Sequence, residues 1–245
     1  NIQAVVPADM VNYESSMAGV TTGASVAVSG TLIESPGKGQ KVELQAQRVE
    51  LVGGADPERY PLQKKGHTME FMRSIAHLRP RANAFGAVFR IRATLAAATH
   101  AFFGGRGFAY VHTPIITASD CEGAGEMFEV KATHPSQEHF FGRQAMLTVS
   151  GQLNAEAMAY GLGTVYTFGP TFRAENSHTA RHLSEFWMIE PEMAFYDLDD
   201  DIDLAESYLR HLIDSVIDRN ADDLDLLNRF EDKTLIDTME SARSK

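Results

Sequence analysis

Arg173 and Glu175 stand two apart at the end of an extended run, FGPTFRAE, and the spacing predicts a strand over Phe168–Glu175. Side chains alternate along a strand, so this guanidinium and carboxylate share one face. The polar run Asn176–Ala180 is predicted as a loop. A second strand is predicted over Arg181–Phe195, with His182, Ser184, Phe186, Met188, Glu190 and Glu192 on its even face. Leu183, Trp187, Ile189, Met193 and Phe195 fall on the odd face, which reads as core. The even face sets a His, an aromatic ring and two carboxylates beside an Arg and a Glu. A guanidinium binds phosphate or carboxylate oxygens, and an aromatic plane stacks a base. A solvated sheet face is the competing reading, although such faces rarely hold an aromatic ring among the charges.

Other elements must position these groups. Asn83–Phe103 reads as a helix capped by Asn83, with Val88, Ile91, Leu95, Ala98 and Phe102 at helical spacing and Gly104-Gly105 ending it. Gly107–Asp120 follows and completes a helix–strand unit. Cys121–Val130 carries Glu122 and Glu126 around two glycines that permit a mobile loop. Residues 140–150 return to strand, and Gly151–Gly163 is predicted as a helix with Leu153, Ala157 and Tyr160 inward. Ser150 and Gln152 then lie at a strand end, where polar groups can face a pocket. After Phe195 a helix begins, with Asp199 or Asp200 as its N-cap and Leu204, Tyr208, Leu212 and Val216 as its stripe. Residues 221–245 read as helical and peripheral.

Residues 1–57 read as all-β, with three or four short strands, a short helix at Asn12–Met17 and Gly- or Pro-rich turns; a small barrel is the natural way to close them. Residues 58–82 read as a linker containing a short helix at His67–His77. With 245 residues, 44% of them hydrophobic, the chain can bury a real core in one domain or in one domain plus a small one. No apolar run is long enough to span a membrane. Cys121 is the only cysteine, so an internal disulfide is excluded and a cytoplasmic or organelle-matrix compartment fits. The net charge of −11 argues against nucleic acid, but residues 58–112 carry 9 Lys or Arg against 2 Asp or Glu. That stretch reads equally as a phosphate-contacting face and as a solvated hinge. The start at Asn1, in mid-pattern, points to a piece of a longer protein.

FRAE, a polar loop and RHLSEFWMIEPE together resemble motif 2 of the class II aminoacyl-tRNA synthetases, in the aspartate/asparagine/lysine subgroup and nearest its asparaginyl branch. The helix leading to GFAYVHTPIITASD is similar to motif 1, which in that family builds a homodimer interface. VSGQLN is similar to the amino-acid-binding block, and SGTLIESPGKGQKVELQAQRVEL to the later part of an anticodon-binding OB-fold.

The resemblance implies an α+β fold: part of a class II antiparallel sheet with flanking helices over 83–245, a linker at 58–82, and an incomplete all-β OB-fold barrel over 1–57. It implies ATP-dependent activation of asparagine and ligation to tRNA(Asn), with Mg²⁺. Arg173 meets the α-phosphate as the catalytic residue. Phe186 stacks on adenine, Glu175 accepts from its amino group, and Arg181 and His182 lie near the triphosphate. Glu122, Ser150, Gln152 and Glu190 surround the amino acid, with Glu122 taking its ammonium. Ala155 stands where aspartyl relatives carry a lysine, which favours asparagine, since an aspartate side chain would be left unpaired. No motif 3 pattern G-x-G-x-G-x-x-R occurs in this sequence, so no metal ligand is assigned and the chain alone is expected to be inactive. An aspartate-activating relative and a non-catalytic module on the same scaffold are the competing functions.

Overall fold

The computed structural model describes residues 2–37, 40–63, 66–121, 123, 126–133, 139, 142–177, 179 and 181–244. Two compact units divide at Phe85 and Gly86.

In the first unit, β1 (Gln3–Val5) runs parallel to β3 (Val42–Gly53), and β2 (Ser25–Glu34) pairs antiparallel with β3. Among the described residues this is a three-stranded sheet, not a closed barrel. A register shift between Ser29 and Gly30 brings Gly30 against β3, where an added Cβ would run into the Gln45 carbonyl. The short helix α1 is Tyr13–Met17. In the 58–82 segment the helix α2 is shorter than expected, Met69–Ser74, because the Thr68 hydroxyl accepts from Phe71 N–H and starts it there.

The second unit is built on two sheets. In one, β8 (Thr164–Phe172) lies between β4 (Ala109–Tyr110) and β9 (Glu185–Met193). The β8–β9 pair is antiparallel as expected, but β4 joins β8 in parallel. The other sheet sets β7 (Ala145–Leu147) between β5 (Ile116–Thr117) and β6 (Glu129–Val130), all antiparallel. Alternation puts Tyr166 and Val165 on opposite faces of β8. Tyr166 packs with Phe102 and Phe103 of α3 (Asn83–Gly105), Phe108, and Leu204 of α5 (Leu198–Arg219). Val165 packs with Val111 and with Ala155 and Ala159 of α4 (Gln152–Leu162). Two more helices, α6 (Ala221–Phe230) and α7 (Leu235–Arg243), follow.

Several boundaries differ from the expectations, each for a local reason. Helix α3 continues through Gly104 and Gly105. It closes one turn later, where Gly107 takes φ 82°, Phe108 N–H bonds Phe103 O and Gly107 N–H bonds Gly104 O. Asp197, not Asp199 or Asp200, caps α5: its carboxylate accepts from Asp199 and Asp200 N–H, and Asp200 accepts from Asp197 N–H in return. In α4 the inward residues are Ala155 and Ala159, while Leu153, Ala157 and Tyr160 face outward. The two alanines pack against Val111 and Val165, with Met158 half-buried beside them. The core face of β9 is likewise shorter than expected. Ile189 and Met193 reach the core, but Leu183 precedes the strand, Trp187 packs edge-on against Phe168 at its margin, and Phe195 sits in a turn with φ 70°.

Candidate active site

Strand β8 ends at Phe172, paired with Glu185, so Arg173 and Glu175 stand just beyond the strand and not on it. Two backbone hydrogen bonds hold their segment in place: Arg173 N–H to Ser184 O at 3.1 Å and Ala174 N–H to Glu126 O at 2.8 Å. Arg181 and His182 also lie outside β9, in the connection that precedes it. All of these, with Phe186, line one cavity of about 440 Å³. The Arg173 guanidinium carbon stands 5.6 Å from the centroid of the Phe186 ring, and His182 Nδ1 is hydrogen-bonded to Thr179 Oγ1. Arg173 Nε is buried and has no hydrogen-bond partner among the described residues. A buried donor without a partner is costly, and an anionic ligand oxygen would relieve that cost. The five residues assigned to ATP thus form one pocket with a cation, a ring and a carboxylate, and they fit a nucleotide.

Farther along the even face of β9, about 13 Å from Phe186 for four residues of strand, Glu190 meets the turn into α4. Its Oε1 accepts from Ser150 Oγ, and its Oε2 accepts from Gly151 N–H at 3.1 Å. Ser150 Oγ in turn accepts from Gln152 N–H at 3.1 Å. Gly151 is required here, because a Cβ would stand 2.5 Å from Thr113 Oγ1 and 2.9 Å from Thr167 Cγ2. Ser150, Gln152 and Glu190, assigned to the amino acid, are therefore brought together, with Ser150 and Glu190 bonded to each other. Glu122, assigned with them, lies outside the described residues.

Sequence reasoning left out three neighbours of this group. Glu156 accepts from Gln152 Nε2 at 2.9 Å, and the Cys121 thiol donates to Gln152 Oε1 at 3.7 Å. The i,i+4 spacing of Gln152 and Glu156 was the available signal for the first; nothing in the sequence linked Cys121 to it. Glu192 is the third. Burial, and then the charges of Glu156, Glu190 and Asp201, push its carboxyl up to about 7. Among the described residues, no three His, Cys, Asp or Glu side chains cluster so as to hold a metal ion, so no step here is assigned to Mg²⁺.

The family model for class II tRNA synthetases (D, K and N) matches residues 68–245. The chain belongs to this family. Among curated relatives, an asparagine–tRNA ligase of Nitratidesulfovibrio vulgaris is 57% identical over 250 residues, covering 98% of this chain and 54% of that protein. One from Parabacteroides distasonis is 56% identical over 254 residues, covering 99% and 54%. Among solved structures, the asparaginyl-tRNA synthetase of Pyrococcus horikoshii complexed with asparaginyl-adenylate superposes with a TM-score of 0.80 at 27% identity, over 97% of this chain and 53% of that one. The chain thus spans about half the length of the relatives it matches. This class II synthetase domain has an α+β architecture, in which the β8–β9 hairpin presents the residues that line the Arg173–Phe186 pocket.

Proposed function

We propose that this chain carries the nucleotide and amino-acid sites of an asparagine–tRNA ligase. The observation that carries the reading is the pocket in which Arg173, its Nε without a partner among the described residues, faces the Phe186 ring beside Glu175. In the reaction, a carboxylate oxygen of asparagine attacks the α-phosphorus of ATP, and the bond to pyrophosphate breaks. Arg173 stabilises the charge that spreads over the α-phosphate oxygens. Phe186 stacks on adenine, Glu175 accepts from its amino group, and Arg181 and His182 border the triphosphate. Gln152, at the end of the turn held by Ser150 and Glu190, orients the amino acid, and Glu122 takes its ammonium. The adenylate is then consumed by the terminal ribose of tRNA(Asn). Mg²⁺, when bound, neutralises phosphate charge.

The identity of the relatives as asparagine–tRNA ligases supports asparagine as the substrate. So does Ala155, fully buried beside Gln152 where a lysine would have to stand to pair with aspartate. The reading extends to residues 1–57 as part of an OB-fold anticodon-binding domain, 58–82 as a linker and 83–245 as part of the catalytic domain, in a cytoplasmic homodimer. No described helix is long and apolar enough to cross a membrane. The test is ATP–pyrophosphate exchange by the natural protein with asparagine against aspartate. Asparagine is expected to be preferred at least about a hundredfold, the order of discrimination that an unpaired buried charge imposes; equal rates would refute the assignment.

A further inference from the structure

We propose that Thr148 is a positioning residue, whose buried hydroxyl locks the Ser150–Gly151 turn and, through it, sets the Glu190 carboxylate for the amino-acid substrate. The inference rests on the reading of Glu190 as an amino-acid contact.

Thr148 directly follows β7 and is 5% exposed. Its main chain is held on both sides: its N–H donates to Ile115 O at 2.8 Å, and its carbonyl accepts from Phe172 N–H at 2.8 Å. Branching at Cβ leaves its side chain few rotamers. From this fixed point Thr148 Oγ1 donates to Ser150 O at 2.6 Å and accepts from Ser150 N–H at 3.3 Å. One hydroxyl thus satisfies both main-chain polar groups of a buried residue. Ser150 in turn holds Glu190. Its Oγ donates to one carboxylate oxygen, and the next amide, Gly151 N–H, donates to the other at 3.1 Å.

Peptide planarity makes this coupling rigid. Ser150 O and Gly151 N–H lie in one plane and point in opposite directions, so a bond that fixes the carbonyl also aims the N–H at Glu190. Valine has the shape of threonine without the hydroxyl. In T148V the Ser150 carbonyl and N–H lose the partner that locks them, and both donors to Glu190 lose their aim together. The bond from Phe172 N–H to Thr148 O is main-chain and survives the substitution. Phe172 immediately precedes Arg173, so the nucleotide pocket keeps its support. The hydroxyl therefore serves the amino-acid side alone.

The experiment is pyrophosphate exchange by the natural protein with asparagine and ATP varied in turn. T148V is expected to raise KM for asparagine about tenfold while kcat and KM for ATP stay within about twofold, and T148S, which keeps the hydroxyl, to restore most of the loss. An unchanged KM for asparagine in T148V, with E190A impaired, overturns the proposal and leaves the reading of Glu190 standing. An unimpaired E190A overturns both. T148S as impaired as T148V would mean that the hydroxyl is not what matters, and a parallel rise in both KM values would mean a merely structural role; either overturns it. Should T148V not fold, T148C carries the same test, since a thiol is only a weak donor and acceptor: a selective rise in KM for asparagine is expected, and an unchanged one overturns the proposal.

Discussion

Arg173 stands one residue past the last pair of the β8–β9 ladder, held by its own backbone bond to Ser184, with Nε buried and without a partner among the described residues. A guanidinium kept in that state is preorganised for an anion. Replacing Arg173 by Ala in the natural protein is expected to lower pyrophosphate exchange by about 10²–10³, the usual loss for one preorganised donor, with circular dichroism unchanged; full activity in the variant would refute its role. Glu192 makes a separate prediction. An unfolded glutamate titrates near about 4.3, whereas in the fold burial raises Glu192 to about 7. Between those values the folded chain holds one more proton than the unfolded chain, so stability falls as pH rises through the window and is level above it. Glu192 is only half-buried, so solvent screening leaves a cost on the order of 1–2 kcal/mol at pH 8. Glu192→Gln should therefore melt a few degrees higher than the parent at pH 8, and the gap should close by about pH 4. A gap that is the same at both pH values would show that Glu192 is not the titrating group.

At the scale of elements, the long helix α3 does more than cover the aromatic cluster. Arg90 donates from Nε to both carboxylate oxygens of Asp223 in α6, at 3.1 and 3.0 Å, and Asn220 Nδ2 donates to the same carboxylate at 3.2 Å. The Arg90 hydrogen bonds hold the Asp223 carboxyl below its ordinary range, against the opposing effect of burial. Asp223 is buried while the Arg90 side chain is largely exposed, so the pair lies between the surface and interior cases. Arg90→Ala is expected to destabilise the fold by about 1–3 kcal/mol, read as a lower midpoint in urea. Arg90→Lys recovers only part of this, since an ammonium cannot reproduce the fork. No change in either variant would mean that α6 is held by packing alone.

For the whole molecule, α3 and the strands β4 and β5 after it leave Val88, Phe89, Tyr110 and Ile116 from 38% to 52% exposed. That apolar surface supports the homodimer proposed through residues 83–116. An obligate interface of this kind typically buries more than about 2,000 Å², enough to persist at micromolar concentration. Sedimentation of the natural protein is expected to return twice the chain mass. A stable monomer at that concentration would remove the dimer from the proposal.

What the amino-acid order determines on its own is whatever depends on near neighbours in the chain. The alternation around Phe168–Phe195 specifies a hairpin, and on its even face Phe186 and Glu190 share one side. Helical spacing specifies α3 and α5. The side chains of the second motif could be read as a nucleotide site because their order and types are themselves the signal. Tertiary structure decided the rest. Hydrophobic size pointed to Leu153 and Tyr160 as the inner face of α4, but the face that packs on the sheet is Ala155 and Ala159, with Met158 beside them. Periodicity set Glu190 and Glu192 on one face without distinguishing them, yet one carboxylate is hydrogen-bonded to the Ser150–Gly151 turn and the other is pushed up to about 7. The partners of Gln152 include Cys121, 31 residues earlier, and those of Arg90 include Asp223, 133 residues later. Hydrogen bonding and desolvation act through distances of a few ångströms in space, so groups this far apart in the chain acquire their chemistry only when the fold brings them into contact.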